Sequence, residues 1–572
     1  MNKLSFPNPI FIREETEYLN DGWLFSYDNK TWQPIRVPYA PESVLSGIGN
    51  TDFIRNCYYK KKFFYTKKKE GALLYFGAVD YKTVVYLNGV CVGMHIGGHT
   101  TFSLDITAYV QEGENELFLI INDETVNNQA HGKQSFQKDS WGCFYTRTTG
   151  IWQNVWLEHV DKQKIREVYF YPNVQNSSVL VDLVTNGIGR YAITVEYKGN
   201  KVGFVEGEIK YREKVEIPLS ETHLWGIAQG NLYDVTIVFE TDTVYSYFGL
   251  REVEYKGYDL YLNGEKIYQK LVLDQGYFPD GIMTAPSVEA MEGDIDRGLR
   301  LGFNGARLHQ KIFDPKMIYL CDQKGYLTWG EMPSWGVDYS TLGNVGQFIT
   351  EWEEAMKRDF NHPSIILWCP LNEVWGALTT HDQKRDIRFI DAIYGFTKLF
   401  DSTRPVIDVS GGHHGNQTDV FDFHCYEGLE KLKQCFDELT NEDKIQVQFL
   451  DCAGEESHYK KGCPVLISEC GGAVLKTELQ EGGWGYREGE TDADAFVENY
   501  EKLIALITDC KKISGFCYTQ LYDIELEQNG FYRYDRSDKL TEKQKDKIKE
   551  INENYPKKLK VKEIDKDEDS KR

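Results

Sequence analysis

Eight times between residues 270 and 519 a short apolar run gives way to a longer stretch, and this alternation restricts the fold more than any other feature of the sequence. The runs are Lys270 to Leu273, Gly305 to His309, Leu327 to Glu331, Ile365 to Trp368, Pro405 to Val409, Val420 to His424, Val465 to Ser468 and Gly515 to Thr519, with start-to-start spacings of 15 to 50 residues. Between them, Val288 to Leu301, Phe348 to Phe360, Gln383 to Phe400 and Asp494 to Thr508 carry the apolar period of amphipathic helices. Eight buried strands with intervening helices predict a (β/α)8 TIM barrel over residues 255–555.

Upstream the texture changes. From about residue 18 to 160 the runs are short, alternate with polar residues and end at Gly or Asn, as Thr83 to Leu87 does at Asn88-Gly89, which predicts an all-β sandwich for residues 1–160. Residues 161–254 continue in the same style at the size of an immunoglobulin-like β-sandwich. Residues 556–572 are mostly Lys, Asp and Glu and are expected to form a charged, frayed tail.

The formal net charge of −23 has the wrong sign for neutralising phosphates or anionic lipid, so no nucleic-acid or membrane-surface partner is expected. Pro7, Pro9 and Arg13 interrupt the first apolar stretch, and no 18-residue apolar run follows, so a cytoplasmic location is expected. The 12 cysteines are scattered, without a CxxC pair, as free thiols of a reducing compartment would be.

In a barrel the reactive groups sit at the C-terminal strand ends. Those ends carry Arg307 and His309, then Glu331, Asn372-Glu373, His424 and Tyr426, Glu469, and finally Tyr518 and Gln520. Glu373 and Glu469 each close an almost wholly apolar strand, and one acid paired with one nucleophilic carboxylate is the apparatus of glycoside hydrolysis. The plainer alternative is that the two carboxylates cap helices or pair with Arg307.

Asn361-His362-Pro363-Ser364-Ile365-Ile366-Leu367-Trp368, followed by Asn372-Glu373, resembles the acid/base signature of glycoside hydrolase family 2, which includes β-galactosidases, β-glucuronidases and β-mannosidases. Tyr145-Thr146-Arg147-Thr148-Thr149-Gly150-Ile151-Trp152-Gln153, Phe303-Asn304-Gly305-Ala306-Arg307, Trp329-Gly330-Glu331-Met332-Pro333 and Ser468-Glu469-Cys470-Gly471-Gly472 carry the same resemblance. It implies a sugar-binding-like jelly roll, then an immunoglobulin-like sandwich, then the barrel. It also implies a retaining exo-β-glycosidase acting on a small carbohydrate or glycoside, with Glu373 as acid/base and Glu469 as nucleophile about 5–5.5 Å apart. Asn372 resembles the residue that bonds the sugar 2-hydroxyl, Arg307 and His309 those that hold the nucleophile ionised and contact hydroxyls, and His424 and Tyr426 partners of substrate or nucleophile. Trp484 and Tyr518 are candidate stacking platforms. Catalysis would require the Glu373 pKa to be raised, by burial and by the Glu469 charge.

Three departures from the family pattern bear on specificity. The Asn-x-Lys pair that grips glucuronate is replaced by Glu527-Gln528-Asn529-Gly530, which disfavours an ordinary glucuronidase. The Glu-x-His of magnesium-binding β-galactosidases is Glu331-Met332-Pro333, so no metal and no cofactor is expected. No further sandwiches follow the barrel, which would leave the aglycone side to the first domain and loops. The expected activity is therefore β-galactosidase-like. The alternatives are a β-glucuronidase or β-galacturonidase that grips its carboxylate through Arg487 or Arg536, and a non-catalytic carbohydrate-binding protein. Dimers and tetramers occur in the family, which leaves homo-oligomer formation open.

Overall fold

The computed structural model describes residues 1–125, 128–374, 385–445, 451–452, 455–456 and 459–569. The first unit is a jelly-roll sandwich of two antiparallel sheets. One sheet runs Gln33–Ile35, Trp23–Ser26, Asn56–Tyr65, Gly113–Asn122, Lys82–Leu87, Val90–Ile96, and the other Thr16–Tyr18, Val155–Val160, Gly71–Phe76, Phe102–Asp105. Period-two alternation builds its core: in Asn56–Tyr65 the side chains of Cys57, Tyr59, Phe63 and Tyr65 are buried while Lys62 and Phe64 face out.

The second unit is immunoglobulin-like and hangs on two long strands, Ser178–Tyr197 and Asn200–Pro218, whose register breaks between Val184 and Ile188. Before the break the first of them pairs with Ile165–Asn173, and after it with Tyr233–Phe239. Val181, Leu183, Ile193, Val195 and Ile237 from both halves meet in one core.

The third unit is the barrel, with strands β1 (Gln269–Asp274), β2 (Gly305–Leu308), β3 (Leu327–Glu331), β4 (Ile365–Cys369), β5 (Val409–Ser410), β6 (Phe421–Cys425), β7 (Val465–Gly471) and β8 (Ile513–Thr519). Seven of them hydrogen-bond in the order β4-β3-β2-β1-β8-β7-β6. The predicted run Pro405 to Val409 is mostly irregular: β5 pairs only with Leu371–Asn372 beyond the end of β4, helped by a bridge from Trp368 to Val406. Side chains supply the reason. Pro405 has no N–H to give, Val406 N–H donates to Asp419, and Asp408 N–H donates to Thr418. The seam to β6 is likewise closed by a side chain, Asp422 accepting from Ser410 Oγ and Gly411 N.

Alternation along the strands decides what lies inside. Leu271, Leu273, Leu327, Trp329, Leu367, Leu466 and Cys517 fill the barrel interior, capped by Leu260 and Leu262 of the hairpin that precedes β1. Val272, Leu308, Trp368, Phe423, Ile467, Phe516 and Tyr518 instead pack outward toward the helices. The floor is therefore apolar and the mouth is left to polar side chains. The last helix, Glu542–Asp569, carries the charged stretch after residue 556 as helix rather than as frayed chain, in keeping with the helix propensity of its Lys and Glu residues.

One loop of the jelly roll reaches the barrel mouth. Asn128 N–H donates to Gly336 O, and His131 and Gly132 N–H both donate to Trp335 O. Gly132 is required there, since its φ is +63° and a Cβ would lie 2.3 Å from the Gln310 carbonyl oxygen. Within the motif that follows, Arg147 is fully buried and donates to the carbonyls of Gln137, Lys138 and Thr51, which ties the loop together.

Candidate active site

Arg307, at the end of β2, organises the mouth. Its guanidinium bonds Glu331 through Nε at 2.6 Å and Nη2 at 3.2 Å, Glu469 through Nη1 at 2.9 Å, and Asn372 Oδ1 through Nη2 at 2.8 Å. It is wholly buried, so three inward-facing strand ends share one cation. Truncating it would strand Glu331 and Glu469 as buried carboxylates without their countercharge, a loss of about 3–5 kcal/mol.

Glu469 ends the inward face of β7. Tyr426 Oη donates to its second oxygen at 2.5 Å, and His424 Nε2 lies 3.4 Å and His309 Nε2 3.8 Å from the first. Burial would raise its pKa, but His424 and Arg307 outweigh burial and the neighbouring Glu373 charge, so the carboxyl is held below the usual range. Glu331 is held down in the same way: Arg307 and His309 overcome burial and set it at about 2.

Glu373 follows β4 with φ +37° and is 8% exposed. Its Oε1 lies 2.5 Å from His424 Nδ1. Oxygens of Glu373 and Glu469 and a ring nitrogen of His424 all lie within 4.8 Å of one another, close enough to hold a metal ion between them. Gly411, at φ +92°, makes room for the His424 ring, which a Cβ would approach to 2.5 Å.

This geometry corrects the expectation of a raised Glu373 pKa. Burial does push it up, but the charge and hydrogen bond of His424, aided by Lys133 and His309, hold it at about 2, while the His424 pKa is raised by Glu469 and Glu373 against the effect of burial. The pair thus keeps one proton, resting on the imidazole. Passing it from Nδ1 to Glu373 changes no net charge, so the acid form is reached without transferring a charge through the site. Two bases and a short bond hold that proton more tightly than Glu373 alone would. His424→Asn is therefore expected to move the alkaline limb of kcat/KM on an aryl glycoside to lower pH by about one unit or more, ~1.4 kcal/mol of lost proton stabilisation. An unmoved limb would mean that the proton is not shared.

Two polar atoms in the site, Asn372 Nδ2 and His309 Nε2, have no hydrogen-bond partner among the described residues. Burial lowers the His309 pKa, and Nδ1 lies 2.7 Å from Glu331, which leaves Nε2 as a free acceptor beside Asn372's free donor. The site can accordingly both donate to and accept from hydroxyl groups.

Other predicted residues are placed differently. Trp484 lies in the loop after β7, half-buried, its Nε1 donating to Gly142 O of the jelly roll and its ring edge-on to Tyr486, which stacks on Tyr426 at 3.9 Å. Tyr518 is not at the mouth: β8 turns Cys517 inward and Tyr518 outward onto Tyr500 and Phe531, so it is a packing residue. Arg536 is occupied by Asp294 and the carbonyls of Tyr277 and Tyr534. Arg487 influences Cys425, Cys470 and Tyr518, the side chains on the outer side of β6, β7 and β8.

Two residues that sequence reasoning did not single out, Trp335 and Lys133, line the same space together with Tyr145 and Glu527 of the quoted motifs. Trp335 Nε1 donates to Asn372 O, Lys133 Nζ lies 4.2 Å above the Trp335 ring, and Tyr145 Oη donates to Glu527 at 2.6 Å. The only local signal for Lys133 is the Gly132-Lys133 step shortly before the Tyr145 motif.

The models described as "Glycosyl hydrolases family 2, sugar binding domain" and "Glycosyl hydrolases family 2, TIM barrel domain" match residues 19–161 and 284–506. A β-galactosidase of Thermoanaerobacter pseudethanolicus is 26% identical over 404 residues, covering 67% of this chain and 52% of its own. A β-glucuronidase of Paenibacillus borealis is 21% identical over 464 residues, covering 70% and 74%. The chain spans about half the length of three curated relatives that it matches, 47%, 52% and 53%. Among solved structures, a family 2 β-galacturonidase from Eisenbergiella tayi bound to galacturonate superposes with a TM-score of 0.74 at 19% identity, covering 95% of this chain and 98% of that one. The Ruminococcus gnavus β-glucuronidase superposes with a TM-score of 0.75 at 17% identity and the same coverage. At these identities the likeness extends to the fold.

Proposed function

The chain belongs to glycoside hydrolase family 2, and from that premise we propose that it is a retaining exo-β-glycosidase, β-galactosidase-like in its sugar, that removes terminal non-reducing β-linked residues by double displacement. The observation that carries this reading is the convergence of Glu373 and Glu469 oxygens within 4.8 Å, since an inverting pair leaves about 6.5–9.5 Å for a water.

Glu469, kept ionised by Arg307 and oriented by Tyr426, attacks the anomeric carbon. Glu373 passes the proton it shares with His424 to the departing oxygen. Esterification of Glu469 removes one negative charge beside the Glu373–His424 pair, which lets the pair stay deprotonated once its proton has left with the aglycone, and Glu373 then takes the proton of the attacking water and restores the starting state. Asn372 Nδ2 and His309 Nε2 are placed to bond sugar hydroxyls, contacts that strengthen as the ring flattens. Eleven of the cysteines are free thiols, which supports a reducing, cytoplasmic setting.

A β-glucuronidase or β-galacturonidase is the second reading. It is favoured by the buried cation Lys133 at the mouth, and relatives and structural neighbours include enzymes named for those sugars. The test is a panel of 4-nitrophenyl β-D-galactoside, glucoside, mannoside, glucuronide and galacturonide and α-L-arabinoside, with the anomer of the first-formed product read by NMR. Fastest turnover of the galactoside with a β-anomeric product is expected. Preference for a uronide would replace the first reading by the second, an α-anomer would refute retention, and no turnover at all would leave a carbohydrate-binding protein.

A further inference from the structure

Lys133 is 4% exposed, comes from the jelly roll rather than the barrel, and no hydrogen bond or ion pair satisfies its ammonium among the described residues. The ammonium itself is not wholly enclosed, so its N–H donors stay open to a partner from the pocket beside the Trp335 ring, 4.2 Å away. The ammonium stays charged. Burial opposes its charge, but Cys143, Glu527, Glu469 and Glu373 together raise its pKa. It therefore sits within the field of both candidate catalytic carboxylates and of Glu527, yet is paired with none of them.

Glu527 lies on the loop after β8 and is also buried. Both of its oxygens accept: Tyr145 Oη donates to one, and Gln520 Nε2 and Asn529 Nδ2 donate to the other. Gln275 Nε2 donates in turn to Tyr145 Oη, so the phenol proton is directed at Glu527. Burial leaves the Glu527 pKa raised, an effect that Lys133 and the donors Tyr145 and Asn529 offset only in part. The mouth thus gathers four carboxyl groups, Glu331, Glu373, Glu469 and Glu527, around the cations Arg307, His424 and Lys133, and a substrate carboxylate would add a fifth.

We propose that Lys133 is the specificity residue of the −1 subsite: its ammonium, delivered across the domain boundary, donates to hydroxyl oxygens of the bound neutral sugar, and the fixed Glu527 carboxylate behind it disfavours uronic acids. This rests on the glycosidase reading above and deepens it. The jelly roll is then part of the catalytic pocket, because the loop that carries Lys133 is bonded to Trp335, whose indole bonds Asn372.

The test couples the side chain to single hydroxyls. kcat and KM are measured for wild type, Lys133→Met, Lys133→Gln and Lys133→Arg on the neutral 4-nitrophenyl glycoside turned over fastest and on its 4-deoxy and 6-deoxy analogues. In the wild type, deleting the bonded hydroxyl should lower kcat/KM by about 10- to 100-fold, the value of a hydrogen bond to a charged group. In Lys133→Met the same deletion should cost almost nothing, and Lys133→Arg should restore part of the sensitivity. Additive losses for both deoxy sugars would overturn the proposal, and so would a wild type that turns over uronides alone. A calorimetric titration with galactose and with galacturonate needs no turnover and separates the two readings. If no glycoside is hydrolysed, the enzyme reading fails, and Lys133 is judged on binding: about tenfold weaker galactose in Lys133→Met and Lys133→Gln supports it, whereas unchanged galactose affinity, or tighter galacturonate lost on substitution, overturns it.

Discussion

Glu469→Ala is expected to lose at least ~10,000-fold in kcat on an aryl β-galactoside, because the covalent route disappears with its nucleophile. In the wild type the attacking oxygens are held by Arg307 at 2.9 Å and Tyr426 at 2.5 Å. Truncation leaves a cavity the size of a carboxylate facing the anomeric carbon, with the Arg307 guanidinium now short of one anion. A small anion should enter that cavity. Azide should restore turnover and yield the α-glycosyl azide, identified by NMR, since single displacement from the nucleophile's side inverts the β-linkage. Retained activity in the variant, or rescue that gives the β-azide, would remove Glu469 from the nucleophile's role.

Glu373→Gln should reveal itself through the leaving group. General acid assistance is worth about 100- to 10,000-fold, and the need for it grows as the departing oxygen becomes more basic. Rates are therefore expected to fall by the upper end of that range for a methyl or disaccharide glycoside and far less for a dinitrophenyl one, whose phenolate leaves unaided. The amide keeps the size of the side chain and the contact with His424, so the fold and the position of the ring should survive. Equal losses across a series of aryl leaving groups would refute the acid's role, and a loss confined to KM would point to a positioning residue.

How much of this site was legible in the sequence depends on the range of the interaction that makes it. Glu373 and Glu469 could be found because parallel strands of one barrel bring all their C-terminal ends to one mouth, so chain position and an apolar run suffice. The outward turn of Tyr518 followed from the same alternation, with Cys517 inside and Thr519 reaching Tyr426, once its neighbours' facing was known. The run Pro405 to Val409 was read as a full strand because it is mostly apolar, while Thr418 and Asp419, ten and thirteen residues on, took the backbone donors of Asp408 and Val406. The ionisation of Glu373 could not be read at all. Its burial and its like-charged neighbour were foreseeable, but the sign of the shift is set by a ring nitrogen of β6 at 2.5 Å.

The amino-acid sequence alone determined the three-unit order, the barrel and the two strand-end carboxylates, because period-two burial and apolar runs are local properties of the chain. Tertiary structure alone decided which state those carboxylates are in and what else surrounds the sugar. Lys133, Trp335, Tyr145 and Glu527 come together from two units of the chain up to 382 residues apart, through docking of a jelly-roll loop on the barrel mouth. Charge interactions and hydrogen bonds act through space, over a few ångströms and without regard to sequence separation, so no local pattern announces them.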